Sequence, residues 1–368
     1  MVKEENGMKR IAIVVSVVLL STVAFALFAS ISVDATDAAS SHAKDINDAG
    51  QVVGQRFFAP GVGHAFLWQA GTFRDLGTID RLGGASEALG INNGAQVVGQ
   101  SWDTAGVVHH GFLWPNPDTG IGMKDLGTLG GASSAAWDIN DAGQVVGDSE
   151  TASGAKHAFV WASGVMTDLG LLPSAPANSY SFAWGINRFG QISGHATTSS
   201  GTTHGVVWKT QGLGTYAITD LGALSGGSSF GRGINDAGSI VGYASIAARK
   251  SGTTVNHAVL WTPQMDGSYA ITDIGTLGGP TAVGLDINEA GQVAGWGDVK
   301  TKGAVYQHAF IWTQAAGLTD LGTLPAGCCS VGLAINEAGT IAGWGITLSG
   351  TSHAVLWVNR AIRDLESG

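Results

Sequence analysis

The sequence predicts an all-β fold: a seven-bladed β-propeller of four-stranded blades, preceded by an N-terminal hydrophobic helix. Three observations lead there. The pair Ile-Asn recurs as Ile46-Asn47, Ile91-Asn92, Ile139-Asn140, Ile186-Asn187, Ile234-Asn235, Ile287-Asn288 and Ile335-Asn336, at intervals of 45–53 residues. A period of that length with several strands per unit marks a propeller blade. Each unit also carries a tryptophan at the same place: Trp68, Trp114, Trp161, Trp208, Trp261, Trp312 and Trp357. Finally, 57 of 368 residues are Gly and only 12% are charged. That composition suits strands buried on both faces and joined by turns.

The first element is the N-terminal segment. Lys9-Arg10 precede an uncharged run from Ile11 to Ile31. This has the form of a signal peptide, with Val33-Asp34-Ala35 or Ala24-Phe25-Ala26 as cleavage motif, or of a single transmembrane anchor. Either form places the repeats outside the cytoplasm, at the cell envelope or beyond it. Residues 1–40 are therefore expected to be an export signal or anchor with a short linker. Residues 41–368 are expected to be the propeller, with blades at about 41–77, 78–127, 128–170, 171–222, 223–275, 276–322 and 323–368.

Within a blade the third unit serves as the example. Ala135–Asn140 reads as the first strand, Asp141-Ala142-Gly143 as a turn and Gln144–Gly147 as the second strand. His157–Trp161 reads as the third strand and Val165–Leu169 as the fourth. The turn Asn-(Asp/Glu)-Ala-Gly, as in Asn47–Gly50 and Asn336–Gly339, fits a type I turn with Gly in the left-handed region. The second unit departs, because Asn92-Asn93-Gly94-Ala95 moves the Gly one place forward. Asp45-Ile46-Asn47-Asp48 also resembles the start of a calcium loop. Calcium requires six to eight oxygens, and Ala49 stands where a ligand is needed, so turn chemistry is the better reading.

The third strand brings seven equivalent histidines: His64, His110, His157, His204, His257, His308 and His353. Spread around a ring, they do not form a metal cluster. They read as a repeated buried hydrogen-bond network, with Asp75, Asp125, Asp168, Asp220, Asp273, Asp320 and Asp364 of Asp-Leu-Gly as partners. The tryptophans read as wedges between blades, each indole N–H meeting a fixed acceptor.

The recurring blocks His64–Trp68, Asp125–Gly131 and Ile139–Gly147 resemble those of the HAF-repeat family of bacterial and archaeal proteins. The resemblance covers residues from about 42 to 365. It implies an exported repeat protein and supplies no catalytic residues.

Function is sought where the units disagree. The formal charge is −10 and the repeats hold no basic run, which argues against nucleic acid and anionic membrane surfaces. No cofactor is expected. The two cysteines, Cys328 and Cys329, are adjacent, so there is no Cys-x-x-Cys metal spacing; outside the cytoplasm the pair suits a vicinal disulfide or two small thiols.

The loops from second to third and from fourth to first strand share one face and vary most. There, Trp102, Tyr243, Trp296 and Trp344, just after the second strand, offer rings for stacking on sugars. Asp103, with Asp80, Glu87, Asp148 and Glu150, adds carboxylates outside the repeat pattern. One inner-strand position holds Lys44 where Leu89, Trp137, Trp184, Leu285 and Leu333 stand elsewhere. The expected protein is a monomeric, non-enzymatic ring that binds a polysaccharide or a protein. The alternative is an extracellular glycan hydrolase or lyase, which requires a carboxylate pair at one place on the ring.

Overall fold

Val, Ile, Phe, Trp and Thr crowd the short segments between Gly-containing turns, and these segments pair as antiparallel strands. The computed structural model describes residues 40–59, 62–79, 81–116, 121–212, 214–247, 254–301 and 303–367. They form seven four-stranded sheets, each built from one contiguous stretch of chain. The expected signal or anchor lies outside the described residues. No helix among the described residues is long and apolar enough to cross a membrane.

The first strands are Ser41–Ile46, Gly83–Ile91, Gly130–Ile139, Ser181–Ile186, Ser229–Ile234, Ala282–Ile287 and Ser330–Ile335. The second strands are Val52–Ala59, Val97–Asp103, Val145–Thr151, Ile192–Thr197, Ile240–Ala247, Val293–Thr301 and Ile341–Ile346. The third strands end on the repeated tryptophans or just beyond them. The fourth are short, down to Lys124–Asp125 in blade two. In blade three the first strand begins at Gly130, five residues before the expected start at Ala135, because its upper half pairs with the extended second strand.

Consecutive first strands touch right around the ring, including the first blade against the seventh, so they enclose the axis. Seven apolar clusters each straddle one seam between blades, and the wedge tryptophan of the later blade enters it. Ring closure uses no exchanged strand. The closing seam packs Ala43, Ile46, Val52, Phe66 and Trp68 against Ala334, Ala342, Ala354 and Leu356. Arg56 pairs with Glu366 at 2.8 Å across it, and His42 Nε2 lies 2.7 Å from Ser352 Oγ.

The repeated Asn does more than shape a turn. Its Oδ1 accepts the N–H four residues on, as in Gln51 to Asn47 at 3.0 Å. Its Nδ2 donates to the carbonyl of the corresponding Asn in the next blade. The links run from Asn47 to Asn92, Asn92 to Asn140, Asn140 to Asn187 and Asn187 to Asn235, then through Asn288 and Asn336 back to Asn47. All seven asparagines are buried, and the result is a closed collar at one end of the channel. The deviant turn in blade two keeps the same backbone, with Ala95 at φ +58° where other blades place Gly. Its N–H reaches Asn92 O at 3.0 Å, as the Gly N–H does elsewhere.

A second latch joins the outer strands. Each of the seven repeated histidines contacts the Asp of Asp-Leu-Gly through Nδ1, from 2.7 Å in His353–Asp364 to 2.9 Å in His64–Asp75. In six blades the same carboxylate accepts the following Gly N–H, and that Gly is left-handed, as at Gly170 (φ +69°). A serine of the next blade then bridges the seam. Ser181 Oγ donates to Gly170 O at 2.7 Å and accepts the Ala158 N–H at 2.9 Å. Ser86, Ser134, Ser229 and Ser330 do the same; Ala282 replaces the serine between blades five and six.

Candidate functional site on the inner wall of blades three to five

Every first strand carries a β-bulge before its Ile. The bulged residues are Lys44, Leu89, Trp137, Trp184, Leu285 and Leu333, with Arg232 in blade five. A bulge leaves its residue out of the ladder and re-aims the side chain. On the innermost strand this makes a ring of seven positions that owe nothing to strand pairing. A second ring follows the Gly of each second strand: Gln55, Gln100, Asp148, His195, Tyr243, Trp296 and Trp344. These two rings break the seven-fold symmetry.

The break is strongest in blades three to five, where each bulged residue engages the second-ring residue of its own blade. Trp137 Nε1 donates to Asp148 Oδ1 at 2.7 Å, and Trp184 Nε1 donates to His195 Nδ1 at 3.0 Å. Arg232 lies with its Cζ 3.8 Å from the Trp184 ring centroid and 6.0 Å from that of Tyr243. The Trp137 and Trp184 rings are 4.3 Å apart. Around them, His195 stacks on Phe182 at 5.1 Å and meets Phe230 edge-on at 5.0 Å. Phe230 stacks on Tyr243 at 4.7 Å. Tyr180 closes the upper side, its hydroxyl 2.7 Å from Thr203 Oγ1.

Electrostatics follow from burial. An indole N–H only donates, so His195 Nδ1 must accept, and the ring proton sits on Nε2. Burial, reinforced by the Arg232 charge, pushes the His195 pKa well below the usual histidine value, so the ring is neutral. Burial also lowers the Arg232 pKa, with Tyr243 partly opposing it. The Arg232 Nε is buried and has no hydrogen-bond partner. Asp148, only 2% exposed, is held by Trp137 and by Lys156 Nζ at 3.3 Å.

Toward the Asn collar the channel wall changes character. Asp45, Asp138 and Asp286 each accept the next residue's N–H and the corresponding Ile N–H of the following blade. Burial raises all three pKa values, Asp138 to about 6, and mutual repulsion adds to the rise in Asp45. These acids are clasps between blades. Among the described residues no group of His, Cys, Asp and Glu is arranged to hold a metal ion.

The expected site residues do not gather at one place. Trp102, Tyr243, Trp296 and Trp344 lie inside the second strands and not after them, because those strands run on to pair with the third. Tyr243, Trp296 and Trp344 share the second ring, in blades five to seven. Trp102 stands two residues further along blade two, 6.3 Å from the His109 ring, and Asp103 accepts the Val107 N–H of its own loop. Trp344 packs on His42 across the closing seam, at 5.5 Å. Glu87, Asp148 and Glu150 are likewise strand residues, and Glu87 pairs with Lys44 at 2.7 Å. Asp80 lies outside the described residues.

The wedge tryptophans lack the uniform acceptor expected of them. Trp208 and Trp357 donate to the Leu169 and Leu321 carbonyls, at 3.1 and 3.2 Å, whereas the Trp68 and Trp261 N–H groups are buried without a partner. Cys328 and Cys329 are thiols with sulfurs 2.8 Å apart, not a disulfide. Burial and the neighbouring Cys328 push the Cys329 thiol up to about 12.

No family profile matches the sequence, and no curated protein matches it. Solved structures resemble the chain at low identity. An acylaminoacyl peptidase from Pyrococcus horikoshii is 10% identical with a TM-score of 0.50; the match covers 89% of this chain and about half (52%) of that one. A lectin from Aleuria aurantia, solved with Fucα1-6GlcNAc, is 13% identical over 76% of this chain and 94% of its own, with a TM-score of 0.37. A gluconolactonase from Xanthomonas campestris is 8% identical over 69% and 82%, also at 0.37. The peptidase match speaks to architecture and not to activity.

Proposed function

We propose that the chain is an exported, non-catalytic binding propeller of the HAF-repeat kind, and that it holds a saccharide against the inner wall of blades three to five. The observation that carries this reading is the row Trp137–Trp184–Arg232, flanked by Phe182, His195, Phe230 and Tyr243. Trp137, Trp184, Phe230 and Tyr243 are only partly buried, and at the bulged position of Trp137 and Trp184 blades one, two, six and seven place Lys or Leu. Planar rings present an apolar face to the C–H side of a sugar. A hydrolase needs two carboxylates across a sugar. In this sector Asp148 is already engaged by Trp137 and Lys156. The Lys9-Arg10 flank and the apolar run after it support export.

A glycan array probed with the intact chain tests the reading. Binding to a defined set of glycans is expected, weakened about tenfold by Trp184→Ala through loss of ring stacking. Trp102→Ala, outside the sector, should leave it unchanged. Absence of binding to every glycan would sink the proposal.

A further inference from the structure

Arg232 is the one feature of this wall that a neutral sugar does not explain. Arginine replaces the Leu, Trp or Lys of the other blades at the bulged position. Among the described residues none of the ion pairs includes it. Its guanidinium lies over the Trp184 ring and its Nε has no acceptor. Leaving a buried donor of a charged group unpaired costs folding free energy, and a ligand that supplies the acceptor removes that cost.

The surroundings leave the Arg232 Nε without an acceptor. Trp184 already donates to His195 Nδ1, so that nitrogen is occupied, and Nε2 carries a proton and cannot accept. Phe182 and Phe230 offer no acceptor. The Tyr243 hydroxyl hydrogen-bonds the Arg232 side chain but is no carboxylate, and the Arg232 Nε stays without an acceptor. The Arg232 carbonyl accepts a hydrogen bond from Ser193 Oγ, which pins the backbone. The cation therefore sits among rings with one hydroxyl partner, and among the described residues no carboxylate pairs with it.

We infer that Arg232, braced by Trp184 and Tyr243, is an anion subsite that takes the carboxylate of a uronic acid within the bound saccharide. The inference rests on the saccharide reading above and narrows it to acidic glycans. A planar carboxylate matches the guanidinium fork in a way that a hydroxyl does not, and binding between rings strengthens the pair by excluding water. The clasp acids Asp45, Asp138 and Asp286 lie further along the channel toward the Asn collar. An acidic ligand accordingly enters from the opposite mouth.

The test uses the intact chain and two oligosaccharides of the same length and linkage, a polyuronate fragment and its carboxyl-reduced neutral form, measured by calorimetry. The uronate is expected to bind at least tenfold more tightly than the neutral form. Arg232→Gln should erase that preference, so that the two forms bind the variant alike, and Arg232→Lys should restore part of it. Thermal unfolding of each variant identifies any that fails to fold, and the comparison of the two sugars on the wild-type chain stands without them. Equal affinity of the wild type for both sugars overturns the carboxylate subsite but keeps the saccharide reading. A uronate preference that survives Arg232→Gln overturns the assignment to Arg232. Binding of neither sugar, together with a blank array, overturns both.

Discussion

Replacing Asn336 by Ala breaks the collar where the last blade meets the first. In the native ring Asn336 Nδ2 donates to the Asn47 carbonyl at 3.2 Å, and its Oδ1 accepts the Thr340 N–H at 2.9 Å. The side chain is 6% exposed, so water does not take its place. The Asn47 carbonyl keeps a second donor, the Gly50 N–H at 3.0 Å. The Thr340 N–H loses its acceptor, at a cost of about 1–3 kcal/mol, and the lost collar bond adds about 0.5–1.5 kcal/mol. The expected total is about 2–4 kcal/mol, a large share of a stability of about 5–15 kcal/mol. Urea unfolding followed by tryptophan fluorescence measures it. Asn187→Ala is the reference, because the same collar bond there, 3.0 Å to Asn235, crosses a seam that the chain also spans covalently. Comparable losses at both positions are expected. A loss under about 0.5 kcal/mol for Asn336→Ala beside a large one for Asn187→Ala would refute the collar as the closing element.

Two further outcomes follow from the blade geometry. Ala95→Gly relieves a left-handed residue at φ +58° and should raise stability by about 0.5–1 kcal/mol, read as a higher thermal midpoint; no gain would mean that the turn carries no strain. In blade four the His204 pKa is raised, first by its hydrogen bond to Asp220, and that bond together with the Gly222 N–H lowers the Asp220 pKa against the opposing effect of burial. A raised histidine pKa contributes stability fully below about 6.5 and loses it as pH rises through the folded value; the lowered Asp pKa contributes above about 3.8 and loses it as pH falls. The stability gap between wild type and Asp220→Asn should therefore be widest between those limits and narrow toward pH 8. A gap that does not change from pH 5 to 8 would contradict the ion pair.

The sequence carried the ring because the residues that build it repeat. Ile-Asn, Val-Val-Gly, His, Trp and Asp-Leu-Gly each answer to one strand, turn or latch, and the same answer serves every blade. What the repeat concealed was the partner. Asn47 reads as a turn residue within its own unit, and only the neighbouring blade shows that its Nδ2 reaches Asn92. Ser86, Ser134 and Ser181 look like ordinary strand serines until the seam is in view. Arg232 is legible in the sequence, since it stands two residues before the Ile of its Ile-Asn pair, as Lys44 does in blade one. Trp102, Trp296 and Trp344 fall within strands and not beyond them because strand ends depend on pairing across the sheet, which sequence pattern does not locate well.

Variation between repeats need not sit in loops to be functional. A loop varies because little constrains it, and Asp103 shows the result: a carboxylate that caps its own turn. The bulged residue of the first strand is also unconstrained, for the opposite reason. It stands on the innermost edge, out of the ladder, with no latch or wedge to serve. The residue after the Gly of the second strand is paired through its backbone alone, so its side chain is equally open to change. Both positions are held by rigid strands, which fixes a ligand contact better than a loop does. A symmetric ring thus offers a variable lining without loss of the interactions that close it. In this chain, blades three to five have used that lining for Trp137, Trp184 and Arg232, while the Asn collar below them stays seven-fold.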